Sequence, residues 1–282
     1  MSPVIREPKT AFTAANPILY PDDDMFGYMR AAKEEQVDAT GKSKSVNITL
    51  TRVSPLKNSV LISVSPTNIV RNWSAMTRQE GDAVPYFPDE YCATMKGMFS
   101  ISLDQVGTFS SIERTGFKNL NESLKKLALE KEAKEIDDPF AKDENGKPKK
   151  LYRLLKPERI KRVKDTLSSL AIINGGAMQT SNMGDVTPKL IVLTTLNSGN
   201  HLFSHLAKDN LGKPVFSIDA LKQVVNDYGD RIIGKVHIGR RRCFMDELEN
   251  DLSKYGKDEK IFYGSVNEAI KKYVKEVEKQ LP

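Results

Sequence analysis

The chain has 282 residues, with 43 Lys and Arg against 37 Asp and Glu and a formal net charge of +6. That is long enough to bury a sizeable core, as one domain or as one domain with insertions. A basic balance this mild favours a polyanionic partner only where charge clusters locally. Cys92 and Cys243 lie too far apart to match a disulfide framework or a metal pattern, so no metal or cofactor is expected. With no leader and no long apolar run, the expectation is a reducing, cytoplasmic setting and no membrane.

From the N-terminus, Asn16-Pro17 and Tyr20-Pro21 break whatever precedes them. Asp22-Asp23-Asp24 invites a metal reading. Three adjacent carboxylates rarely converge on one ion, however, and a solvated turn with an acidic helix cap is the simpler expectation. Residues 31–44 are polar and end in Gly41-Lys42-Ser43-Lys44, read as a mobile basic loop. Val46, Ile48 and Leu50 alternate with Asn47, Thr49 and Thr51, the period-two pattern of a strand. Arg52 and Lys57 flank its Ser54-Pro55 break. A second β segment is expected over residues 95–109, through Met98, Ile101, Leu103 and Val106. Between the two, Tyr86, Phe87 and Tyr91 cluster, as rings packed under a long loop or as stacking platforms for bases.

Residues 118–150 carry a narrow apolar stripe and then dense mixed charge, and read as an insertion projecting from the core. Residues 156–173 form a helix with Pro157 in its first turn and Ile160, Val163, Leu167 and Leu170 on one face. Lys156, Arg159, Lys161, Arg162 and Lys164 make the rest of that surface basic. Asn174-Gly175-Gly176 should end the helix through a left-handed glycine. A loop of small, polar residues follows, then Lys189 to Thr195 as a central strand. Helix, glycine loop and strand make a plausible phosphate cradle, since peptide N–H groups there can approach a backbone closely.

Beyond it, His201 and His205 have helical i, i+4 spacing, but no further ligand is suitably placed and surface or packing histidines are expected. Residues 217–228 read as a capped amphipathic helix, and 231–238 as a strand leading into Arg240-Arg241-Arg242, a phosphate-binding candidate. Ser265-Val-Asn-Glu268 is a capping box opening a last helix with Val266, Ile270, Val274, Val277 and Leu281 on one face.

Several of these stretches together resemble one family. Asp24-Met-Phe-Gly-Tyr-Met-Arg30, Thr51-Arg-Val-Ser-Pro55, Lys96-Gly-Met-Phe-Ser-Ile-Ser-Leu103, Val106-Gly-Thr-Phe109 and Asn174-Gly-Gly176 occur in matching order over roughly residues 6 to 200. They are similar to the repeated backbone subunit of type I CRISPR interference (Cascade) complexes, a RAMP-superfamily protein, in its type I-B, DevR-like branch. The resemblance implies an α+β fold with an RRM-like (ferredoxin-like) core over residues 1–282 and finger and thumb insertions near 22–45 and 110–152. It implies no catalysis. The partners it implies are the CRISPR guide RNA, target DNA, further copies of the chain and other Cascade subunits. Family members usually begin with a further strand and a tryptophan-rich helical stretch that are not found here. The first core strand is therefore expected to be absent or supplied by another polypeptide.

Carried over residue by residue, Gly175, Gly176, Gln179, Thr180, Ser181 and Asn182 would face the RNA backbone. Phe26, Gly27 and Arg30 would lie beside the groove, with Arg52 and Lys57 on its floor. Lys42, Lys44 and Arg240, Arg241 and Arg242 join them on charge alone. Two other readings compete: a metal-dependent RNA endonuclease using Asp22 to Asp24, and a transcriptional autoregulator, for which no helix-turn-helix pattern is found.

Overall fold

The structure, a computed structural model, describes residues 13–37, 43–76, 80–114, 116–175 and 183–282. Among these, six α-helices occur with many short strands, so the chain is α+β. The helices are α1 (Pro21–Phe26), α2 (Glu122–Glu130), α3 (Lys156–Ser169), α4 (Ile218–Asp227), α5 (Glu249–Tyr255) and α6 (Val266–Gln280). Two compact units result. The first holds Met1–Lys57, Ser100–Ile191 and Val266–Pro282; the second holds Asn58–Phe99 and Val192–Ser265.

In the first unit, Tyr28–Val37 and Ser43–Arg52 pair antiparallel in register from Tyr28 opposite Arg52 to Val37 opposite Ser43. Residues 31–37 and 43–44, expected in a basic loop, are thus ladder. Pairing satisfies their backbone groups whatever the polarity of their side chains. The expected alternation holds where it was clearest: Ile48 and Leu50 are buried with Tyr28 and Ala15, while Asn47 and Thr49 are exposed.

A three-stranded sheet places Pro148–Arg153 between Thr108–Ser110 and Lys134–Lys142. Asn121 caps α2 by accepting from Leu124 N–H at 3.0 Å. The segment 110–152, expected as an insertion, supplies Leu120, Ala128 and Ala133 to a cluster with Ile18, Phe109 and Leu154. Helices α3 and α6 pack together. The buried face of α6 includes Val266, Ile270, Val274 and Val277 with Leu281 beyond it, the face expected from spacing.

In the second unit, Asn58–Phe99 is an arm of short antiparallel pairs. Ile62 lies opposite Lys96, Val70 opposite Glu90 and Ser74 opposite Tyr86. Lys96 Nζ ties its base by donating to Ala207 O at 2.8 Å. The strand Leu190–Leu196, all but its first two residues in this unit, forms where expected. It is an edge strand, not a central one, since Ile232–Arg240 occupies the middle and pairs parallel with Ile261–Gly264 on its other side. Helix α5 makes that parallel crossover. Helix α4 has the expected cap, Ser217 Oγ accepting from Ala220 N–H at 3.2 Å. Residues 202–205 form turns, so His201 and His205 lack helical spacing, and both are exposed.

Candidate nucleic-acid interface

The residues that carry the resemblance converge on Asp24. One of its carboxylate oxygens pairs with Arg52; the other meets Arg162 at 2.7 Å and accepts from Gly107 N–H at 2.9 Å. Asp24 and Arg162 are 0% and 1% exposed at their side chains. One carboxylate cannot neutralise two guanidinium groups, and carbonyl oxygens complete the accounting. Arg52 also donates to the carbonyls of Asp24, Gln105 and Thr108. Arg162 donates to those of Pro17 and Ile18 at 2.7 and 2.8 Å. Each guanidinium nitrogen of the two buried arginines thus has at least one acceptor, as burial of charge requires. The Arg52 guanidinium further lies 4.5 Å from the centre of the Phe109 ring. Ser54 Oγ donates to Met25 O at 2.7 Å, closing the turn.

This corrects three expectations. Arg52 is not on the floor of a groove but is consumed inside the fold. The basic surface of α3 loses Arg159 and Arg162, both buried; Arg159 donates to Val106 O, Leu103 O and Pro282 O. Burial, with Arg153 adding, lowers the pKa of Arg159. Asp22 to Asp24 are not a solvated turn: Asp23 accepts from Thr13 Oγ1 and from Asn16 N–H at 2.9 Å, and with Asp24 it is buried.

The other named residues fall in different places. Phe26 is 63% exposed. Gly27 has φ of +73°, and a side chain there would run into the Arg52 carbonyl oxygen, so it is a packing glycine. Arg30 is half-buried and donates to Thr13 O at 2.9 Å; Lys57 is exposed. Lys44 lies on the ribbon opposite Gln36. Gly175 does not have the left-handed conformation expected of it, and α3 instead tightens into a 3₁₀ turn over Leu170–Ile172. Lys42, Gly176, Gln179, Thr180, Ser181 and Asn182 lie outside the described residues.

Arg240, Arg241 and Arg242 do not act as a set. Arg240 is buried at the end of its strand and pairs with Asp246 and Glu249, donating also to Tyr263 Oη at 3.2 Å and Phe244 O at 2.8 Å. Burial works against its charge, but bonds to Tyr263, Glu249 and Asp246 outweigh this and raise its pKa. The loop it braces leaves Arg241 and Arg242 exposed.

Two further surfaces stand out, the first not foreseen in the sequence and the second matching the alternative of exposed rings. One is a cleft of about 540 Å³ in the first unit, lined by Asn16, Arg30, Lys33, Asn47, Asn121 and Ser123 over a base that includes Ala15, Leu50 and Leu124. Asn16 reads as part of a chain break in the sequence, and nothing in the spacing of Asn16 and Asn121 joins them to Arg30. The other is the arm, where Trp73, Phe87 and Tyr91 are 69%, 62% and 57% exposed. Tyr86, Phe87 and Tyr91 are therefore not packed under a loop. Arg71, the described arginine on the arm, is held by Asp89 at 2.8 Å.

Among the described residues no three His, Cys, Asp or Glu side chains gather as metal ligands, and no helix is long and apolar enough to cross a membrane. No family model matches the sequence, and no curated protein does.

Proposed function

We propose that the chain is a non-catalytic RNA-binding subunit of a CRISPR Cascade-type complex, with an RRM-like core, copies of which line the guide RNA and present it for pairing with target DNA. One observation carries this reading. Asp24, Arg52, Gly107 and Phe109 come from three of the motifs that resemble the family, and all four meet in one buried node. Motifs scattered by chance have no reason to share a carboxylate.

The node also bears on the nuclease alternative, because Asp24 spends both oxygens on Arg52, Arg162 and Gly107. Cations left on the surface, among them Lys57, Arg241 and Arg242, suit sequence-independent phosphate contacts.

The test is fluorescence anisotropy of the full chain with two 30-nucleotide RNAs of unrelated sequence across a salt series. Affinity should be equal for both RNAs and fall with salt at a slope of about −0.7 per phosphate neutralised. Binding to neither RNA, or strong preference for one, overturns the reading.

A further inference from the structure

The arm, residues 58–99, is built of antiparallel pairs, and none of its described residues is buried. A two-stranded ribbon without a core of its own is marginal in water, and exposed apolar surface on this scale marks a binding site. Its largest members are rings. Val70 opposite Glu90 and Arg71 opposite Asp89 keep the same register as Ser74 opposite Tyr86, and between them Asn72 N–H donates to Pro88 O at 3.0 Å. That register puts Trp73 across from Phe87, and residues so opposed share one face of an antiparallel pair. Tyr91 lies four residues beyond Phe87 on the same side of the ribbon. Trp73, Phe87 and Tyr91 are all more than half exposed.

Charge decides what covers these rings. The acids beside them are engaged, Asp89 by Arg71 at 2.8 Å and Glu90 by Asn72 at 2.7 Å. Residues 58–99 carry three Lys or Arg and four Asp or Glu, so of the chain's 43 and 37 the rest holds 40 and 33. The positive excess thus lies wholly outside the arm. Single-stranded nucleic acid uses both parts at once, its bases stacking on aromatic faces while cations take its phosphates. A second copy carries the same positive excess and gains nothing from it.

We propose that Trp73, Phe87 and Tyr91 form a platform on which unpaired bases of single-stranded RNA stack. The inference rests on the RNA-binding reading and names where that reading's bases are held. Every base has a π-face, so the platform is indifferent to sequence. Stacking also leaves the pairing edge of each base open, as a guide that must pair requires.

Trp73 is the chain's one tryptophan, so its emission reads the arm directly. The full chain is titrated with a single-stranded 30-nucleotide RNA, following RNA anisotropy and Trp73 emission in parallel. Emission should be quenched in step with the rise in anisotropy. Phe87→Ala and Tyr91→Ala, each checked for folding by thermal melting, should weaken binding at least about fivefold and leave the salt slope unchanged. Phe87→Tyr keeps a ring and should bind as wild type does. If the RNA binds but Trp73 emission does not change, or both folded alanine variants bind as tightly as wild type, the platform is overturned and the RNA reading stands. If no RNA binds by anisotropy, the RNA reading falls and takes the platform with it. Trp73 emission that moves to shorter wavelength as protein concentration rises, with no RNA present, places a second copy on the arm and overturns the platform.

Discussion

Asp24 and Arg162 stand 138 positions apart in the chain and meet at 2.7 Å with both side chains out of solvent. Their bond joins α1 to α3, and through the other carboxylate oxygen it joins both to Arg52 at the end of the ribbon. A buried ion pair is weak evidence of net stabilisation, because desolvation offsets most of the attraction. Breaking one is costly, since the remaining charge stays buried without a partner.

Asp24→Asn leaves two guanidinium groups facing a neutral amide. It should lower unfolding stability by about 3–5 kcal/mol, read as a shift of the urea midpoint. Asp22→Asn, a half-buried position in the first turn of α1, leaves the Asp24 node in place and should cost less than Asp24→Asn does, read by the same midpoint shift. Equal midpoints for wild type and Asp24→Asn would show that the node does not hold the unit together. Arg52→Ala belongs to the same class and should unfold the unit instead of flattening a salt slope.

Tyr28 sits beside this node and donates its hydroxyl to Asn119 O at 2.6 Å. Burial chiefly, with Asp23 and Asp24 adding, raises the phenol pKa against the opposing pull of Arg52. A phenol raised above its unfolded value of about 10 stabilises the fold fully below that pH. The contribution is lost as pH climbs from there toward the folded pKa, at up to about 1.4 kcal/mol per pH unit. Urea unfolding at about pH 9, 10 and 11 should show a steeper decline for wild type than for Tyr28→Phe. At neutral pH the variant loses one hydrogen bond, about 1 kcal/mol. Tyr152, Tyr255 and Tyr263 are also raised by burial, so some alkaline loss persists in the variant. Parallel curves for the two proteins would place the effect elsewhere.

What was legible in the sequence was whatever one element decides alone. The face of α6, the Ser217 cap and the alternation through Ile48 and Leu50 need only local spacing, and each is found. Arg159 and Arg162 show the limit. Arg159 lies one turn from Val163 and Arg162 lies beside Arg159 on the helical wheel, yet their charge suggested solvent, because the acceptors that allow burial come from Leu103, Val106, Pro17, Ile18 and Asp24. No spacing rule reaches across such separations. The cleft was hidden for the same reason: its lining comes from four chain segments, and the sequence shows Asn16 only as a break. The arm misled in the opposite way. Aromatic rings close together in sequence suggest a shared core, but Phe87 and Tyr91 lie outside the short paired strands of the arm and, like Tyr86 within one, are exposed.

Arg240 and its neighbours should separate cleanly by substitution. Arg240→Gln removes the centre of a cluster with Asp246, Glu249 and Tyr263 and leaves a buried strand end short of donors. It should lower the melting temperature by several degrees, as a loss of about 1–3 kcal/mol does. Arg241→Gln and Arg242→Gln, both at exposed positions, should leave melting within about 0.5 kcal/mol of wild type. Each should reduce the salt slope of RNA binding by about 0.7 if it touches a phosphate. Unchanged slopes for both would remove this loop from the interface.

Gly27 and Gly175 make the sharpest contrast, since the sequence assigned both to the RNA. Gly27 sits at a φ of +73°, where an L side chain is strained, and a Cβ would meet the Arg52 carbonyl oxygen and approach Ser54 N to 2.9 Å. Those are backbone atoms of the ribbon that carries the Asp24 node, so they cannot swing aside. Gly27→Ala should cost about 1–2 kcal/mol for the left-handed backbone alone, with the clash added. Gly175 has neither constraint: its φ lies outside the left-handed region and no atom stands within 4 Å of a Cβ built on it. Replacing it with alanine removes unfolded-state freedom and should be neutral or stabilising by up to about 1 kcal/mol. Thermal melting of the two variants side by side reads both outcomes. A Gly27→Ala protein that melts with wild type would mean the turn between α1 and the ribbon can relax. A Gly175→Ala protein that melts well below it would mean that the end of α3 requires glycine after all.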